Sequence, residues 1–245
     1  MRLATQPLGL RSPGADAWRA RLQDDHAAVD RLVPVSLRHL HETVLGRAVR
    51  AGASALILSG STARGCRTEI SDLDYHLVGE KVDTRDLSAE VDLHTLSHAD
   101  LDAGILAGDD FVHWSLRFGR IVFDDGTLLA AVRLMTRERP WPDIERKRDH
   151  AVKSLALAAR VVDSGDQDAA LIQVRTALSL SARAYLLSVG EFPMSRAELP
   201  RQLVAAARPR AARALECCIY GDPALESLCE ALADGQILME EREHS

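Results

Sequence analysis

"LSGSTARGCRTEISDLDYHLV", Leu58 to Val78, joins a Gly-Ser turn to two aspartates one residue apart, Asp72 and Asp74. The run before it, Ala55-Leu56-Ile57-Leu58, is short and apolar and predicts a buried strand that enters a tight turn at Ser59-Gly60-Ser61. "DLDYHLV" alternates, with Leu73, Tyr75 and Leu77 on one face and Asp72, Asp74 and His76 on the other. Two carboxylates on one strand face, their Cα atoms about 7 Å apart, repel one another unless a cation lies between them.

Working outward, "EVDLHTL" from Glu90 to Leu96 alternates in the same way, with Asp92 and His94 opposing Val91, Leu93 and Thr95. "RIVF", Arg120 to Phe123, predicts a fourth strand before the turn Asp124-Asp125-Gly126. Helical spacing predicts a helix from near Asp16 to Pro34, a second over Val35–Arg50, and others over Asp100–Ala107 and Thr127–Arg137. Pro140-Trp141-Pro142 interrupts the pattern, and beyond it the chain reads as helix almost throughout, including Asp143–Asp163 and Asp166–Val189. Asp222-Pro223 reads as an N-cap with proline at the first helical position. The expectation is an α/β domain over 1–140, a small mixed sheet flanked by helices, followed by an all-α bundle over 141–245 that binds substrate.

The turn and the strands suggest one chemistry. Gly60 lets a ligand approach the main chain, and N–H groups with the Ser61 hydroxyl at a helix start suit phosphate oxygens; Arg64, one turn on, could add positive charge. Carboxylates are hard oxygen ligands, which select Mg²⁺ bound together with substrate phosphates. Asp92 completes the set if its strand pairs beside that of Asp74. Asp83, Asp86 and Asp100 are nearby alternatives at loop or helix-start positions.

Composition narrows the classes. Hydrophobic residues make up 47% and charged residues 27%, enough for full cores without long disorder. The net charge of −6 argues against general nucleic-acid binding and mildly favours a cationic small-molecule ligand. Cys66, Cys217, Cys218 and Cys229 form no CxxC pair and read as reduced thiols. No apolar run approaches the ~20 residues of a membrane span, and the N-terminal stretch lacks a signal-peptide core, so a cytoplasmic protein with a short flexible lead-in is expected.

Gly60-Ser61, ten further residues, then Asp72-Leu73-Asp74-Tyr75, with Asp92 on a later strand, resembles the DNA polymerase β-like nucleotidyltransferase superfamily, most closely its aminoglycoside and minimal nucleotidyltransferases. "GRIVFDDGTLL" and "QVRTALSLSARAYLLSVGEFPMSRAELPRQL" are similar to later segments of those proteins. The resemblance implies that Gly60 and Ser61 bind the β- and γ-phosphates of an NTP, with ATP the expected one, and that Asp72 and Asp74 hold two Mg²⁺ ions. It makes Asp92 the third carboxylate, sharing a metal and drawing the proton from an acceptor hydroxyl. A nucleoside monophosphate would pass to a small molecule such as an aminoglycoside, with release of pyrophosphate. A protein or RNA acceptor, or a module that binds nucleotide without catalysis, are the alternatives.

Other residues have plainer expectations. His76 and His94 read as hydrogen-bonded scaffold, Trp114 and Trp141 as packing, and Asp124 and Asp125 as a helix cap. Glu145, Asp149 and Lys153 read as a solvated helix face, with substrate contact the alternative; Arg175 and Arg183 share one face of a long helix.

Overall fold

A computed structural model of the chain describes residues 14–67, 71–82 and 89–240; the lead-in before Gly14 and the alternatives Asp83 and Asp86 lie outside the described residues. The chain divides into two compact units, Met1–Pro142 and Asp143–Ser245. The first contains α1 (Ala15–Leu32), α2 (Arg38–Arg50), β1 (Ala55–Leu58), α3 (Gly60–Ala63), β2 (Leu73–Val78), β3 (Val91–Leu96), α4 (His98–Leu106), α5 (Asp110–Phe118), β4 (Arg120–Asp124) and α6 (Thr127–Glu138). The second contains α7 (Ile144–Asp163), α8 (Gln167–Ser188), α9 (Leu199–Ala205), α10 (Pro209–Tyr220) and α11 (Leu225–Glu240).

The four strands form one mixed sheet in the order β3-β2-β1-β4. β1 pairs antiparallel with β2 and β4, whereas β2 and β3 run parallel. Alternation assigns each residue to a face. Leu56, Leu58, Leu73, Tyr75 and Leu77 pack with Leu40, Val44 and Ala48 of α2. Ala55, Ile57 and Val78 pack on the opposite face with Trp18 of α1 and apolar residues of α4, α5 and α6. The sheet is thus a middle layer between helices, and Tyr75, fully buried, is tied to α2 by the 2.8 Å hydrogen bond between its hydroxyl and His41 Nδ1.

Helix α1 closes the β4 edge. Trp18 Nε1 donates to Asp124 Oδ2 (2.9 Å), and Ile121 N–H donates to Asp25 Oδ2 (3.2 Å), so a donor on the outer side of an edge strand is satisfied inside the protein. Asp124 and Asp125 cap α6: Asp124 Oδ1 accepts from Leu128 N–H and Asp125 Oδ1 from Thr127 N–H.

Three details differ from the sequence expectation. Residues 110–118 form a helix, α5, that strand-like spacing of Trp114, Leu116 and Phe118 disguises; Asp109 starts it by accepting from the N–H groups of Phe111 and Val112. The segment Val35–Leu37 is a single 3₁₀ turn, with α2 beginning only at Arg38. Asp222 does not cap α11: that helix begins at Leu225, and Leu228 N–H reaches the carbonyl of Ala224.

In the second unit small side chains set the packing. Alanines 151, 158, 170, 177, 182, 184, 211, 212 and 231 are buried with Leu155, Leu178 and Leu186. A methyl group at Gly235 would stand 2.9 Å from Leu155 and 3.1 Å from Leu178, so α11 lies close against α7 and α8 there. Glu145, Asp149 and Lys153 are exposed along α7, and Arg183 donates to the carbonyl of Met194. No helix among the described residues is long and apolar enough to cross a membrane.

At the α5–β4 junction, a methyl added to Gly119 would overlap Ile57 Cγ2 and stand 2.5 Å from the carbonyl of Ser115. Gly119→Ala should therefore lower stability by about 1–3 kcal/mol, seen as a lower midpoint in urea with an unchanged slope.

Candidate functional site

The phosphate-type turn and the carboxylate strands meet at one end of the sheet. Helix α3 follows β1 directly and is only four residues long, so tertiary contacts must hold it. Ser59 N–H donates to the carbonyl of Asp74 (2.8 Å), and the Thr62 hydroxyl donates to the carbonyl of Asp72 (3.4 Å). Both bonds pin the turn to the start of β2. Gly60 has φ +63°, a left-handed conformation open to glycine at little cost. A Cβ here would occupy the space of the Asp74 carboxylate. The glycine therefore does two things: it bends the chain, and it lets the carboxylate lie against bare backbone.

Parallel pairing of β2 with β3 sets Asp74 directly beside Asp92, and His76 beside His94. Neighbouring strands are about 4.8 Å apart, so two carboxyl groups rise side by side from one face. Asp72 sits just before β2 and is half-buried, as is Asp74, whereas Asp92 on the edge strand is exposed. Burial, then the charges of Asp72 and Asp92, push the Asp74 carboxyl up to about 6. The structure thus brings Gly60, Asp72, Asp74 and Asp92 together electrostatically, with Ser61 on the same turn. Arg64 ends that turn with its guanidinium 5.9 Å from the ring centre of Phe118 in α5.

Among the described residues, no three His, Cys, Asp or Glu side chains are grouped so that they could hold a metal ion as they stand. The chemistry of the donor set nevertheless fits a divalent hard cation. It offers only carboxylate oxygens, their mutual repulsion is what a cation relieves, and Gly60 makes room for one of them.

One register step further along the sheet, the polar face turns into scaffold. His76 is buried, with Nδ1 2.5 Å from the Ser115 hydroxyl, which also donates to the carbonyl of Phe111 (2.9 Å). Burial, with His94 nearby, lowers the proton affinity of His76 to about 3, so it is neutral at physiological pH. With the hydroxyl proton on Phe111, the ring donates from Nδ1. The Phe111 ring lies over His76 at 4.2 Å and meets His94 edge-on at 5.4 Å. Helix α5 therefore covers the sheet up to His76 and leaves the carboxylates open.

Sequence reasoning missed Asp25, Arg120 and Ser115. Asp25 was recoverable: it falls on the stripe Trp18-Leu22-Asp25-Val29, where an apolar residue would ordinarily stand.

Comparison with known protein families finds no match, and neither does comparison with curated proteins. Among solved structures, the fold is similar to that of a nucleotidyltransferase-like protein from Exiguobacterium sibiricum 255-15, with 17% identity, 83% of this chain and 73% of that chain covered, and a TM-score of 0.40. A likeness this loose leaves the site to be read from the chain's own residues.

The Asp74 carboxyl gives a pH test. It holds its proton more tightly folded, near 6, than its ordinary value of 3.8. Stability from this group is therefore complete below about pH 4 and is lost as pH rises through 6. Asp74→Asn should melt higher than the wild type at pH 7.5, by about 1 kcal/mol after solvent screening is allowed for. The gap should close toward pH 4 in parallel thermal melts.

Proposed function

We propose that the chain is a nucleotidyltransferase that moves a nucleoside monophosphate, AMP from ATP, to a hydroxyl of a small molecule, with an aminoglycoside as the specific acceptor to test. The observation that carries this reading is the carboxylate pair Asp74–Asp92, set in register beside a glycine turn with Asp72 adjoining.

The roles are those that the resemblance of the motif implies. Gly60 and Ser61 hold the β- and γ-phosphates of the nucleotide. Asp72, Asp74 and Asp92 would hold two Mg²⁺ ions, which neutralise charge on the phosphates and lower the proton affinity of a bound hydroxyl. Asp92, exposed on the edge strand, faces the acceptor and takes the proton from its hydroxyl. The hydroxyl oxygen attacks the α-phosphorus, and the bond to the bridging oxygen of pyrophosphate breaks. Asp74 binds cation as a carboxylate only, so below about pH 6 a cation must displace its proton, and Mg²⁺ affinity should fall on that side. The open edge position of Asp92 also admits a protein or RNA acceptor.

The test is incubation with each NTP, Mg²⁺ and a panel of aminoglycosides, scored by pyrophosphate release. Asp72→Ala and Asp74→Ala should each abolish transfer while circular dichroism shows the fold intact. Turnover near the wild-type rate in either variant removes the assignment. Pyrophosphate released only when protein or RNA is added would move the acceptor class and keep the chemistry.

A further inference from the structure

The short helix that bears Gly60 and Ser61 has a second anchor, on the side away from the carboxylates. Arg120, the first residue of β4, donates from Nε to the carbonyl of Ala63 (3.2 Å), the last residue of α3. Its Nη1 donates to Asp25 Oδ1 (3.0 Å). Asp25 is 2% exposed, and its other oxygen accepts from Ile121 N–H and from Arg21 Nε (3.3 Å). A buried carboxylate paired with two guanidinium groups and a backbone N–H is fixed in place, and what it holds is fixed with it. Arg21 shares the same carboxylate but reaches elsewhere, to the carbonyls of Leu116 and Gly119.

We propose that Arg120, held by Asp25, is a positioning residue for nucleotide binding: it fixes the C-terminal end of α3 so that the Gly60-Ser61 turn is preformed for a triphosphate. The proposal rests on the nucleotidyl-transfer reading above. Four residues cannot sustain a helix alone. The bonds from Ser59 and Thr62 to β2 fix one side of the turn, and the Arg120 bond fixes the other. Without it the turn must be ordered when nucleotide binds, and that ordering is subtracted from affinity.

Arg21 supplies the control. Arg21 ties α1 to the carbonyls of Leu116 and Gly119, and Arg120 ties it to β4 through Asp25, but of the two only Arg120 hydrogen-bonds to α3. MgATP binding by titration calorimetry and thermal melting would be measured for the full chain and for Arg120→Met, Arg21→Met and Asp25→Asn. Arg120→Met should weaken MgATP about tenfold, in line with loss of a bond from a charged donor. Asp25→Asn should weaken it in the same direction, because Arg120 loses its anchor. Arg21→Met should stay within about twofold of the wild type even where its melting temperature falls as far. Arg120→Lys, able to reach one acceptor but not both, should be intermediate.

Three results overturn the proposal: wild-type affinity in Arg120→Met, an equal loss in Arg21→Met, or a loss in Arg120→Met with none in Asp25→Asn, which would mean direct contact with nucleotide. If a methionine variant does not fold, the lysine variants at both positions carry the same comparison. A wild-type chain that binds no MgATP removes the nucleotide reading itself, which is a different failure from an unaltered Arg120→Met.

Discussion

A carboxylate laid against bare backbone is the contact on which the candidate site depends. Asp74 occupies the space that any side chain at position 60 would fill, and the left-handed bend at Gly60 turns the chain away from β2. Move either group and the turn no longer faces the acidic strands. The contact also explains an electrostatic cost that the fold carries. Asp74 is half-buried beside Asp72 and Asp92, where its charge is opposed by burial and by its neighbours. Sites that keep like charges together at the expense of stability are commonly functional ones.

The surrounding sheet divides its two faces by use. One is largely apolar, with Leu73, Tyr75 and Leu77 under α2 and the Tyr75 hydroxyl bonded to His41. The other changes character along its length: carboxylates at the open end, then the His76–Ser115–Phe111 chain, then Val78 in a dry core with α4, α5 and α6. That gradient arises because α5 covers only part of the face. A neutral histidine in the middle suits the boundary, since a cation there would compete for the acidic pair.

Much of this was legible in the chain. Period-two alternation located β2 and β3 within a residue and put Asp74 and Asp92 on polar faces, because a strand half in a core must alternate. The pairing of those strands was only conditional, since alternation says nothing of which strand lies beside which. Helix α5 was hidden because nine residues give too few turns for a helical period to stand out, and Trp114, Leu116 and Phe118 mimic a strand. The partners of Asp25 were hidden for another reason. Arg120 and Ile121 are 95 and 96 residues away, and no local pattern encodes such a contact. The acceptor is not legible in the acidic strands, because carboxylates that hold a cation describe the reaction rather than the molecule that receives the product group.

The separation between Asp25 and Ile121 bears on how the protein is made. During synthesis α1 leaves the ribosome early, with an acidic group on its apolar stripe that has met Arg21, one turn back, but not yet Arg120 or the Ile121 N–H. β1 likewise waits for β4, although β2 arrives sooner. The first unit therefore cannot close until about residue 124 has emerged, and long loops must shut before their contacts repay the entropy. In the second unit α7 pairs with its neighbour α8 and α9 with α10, while α11, last in the chain, returns to α7 and α8. A nascent chain stalled before Arg120 would expose the α1 stripe and an unpartnered β1 edge, the surfaces that chaperones and aggregation recognise.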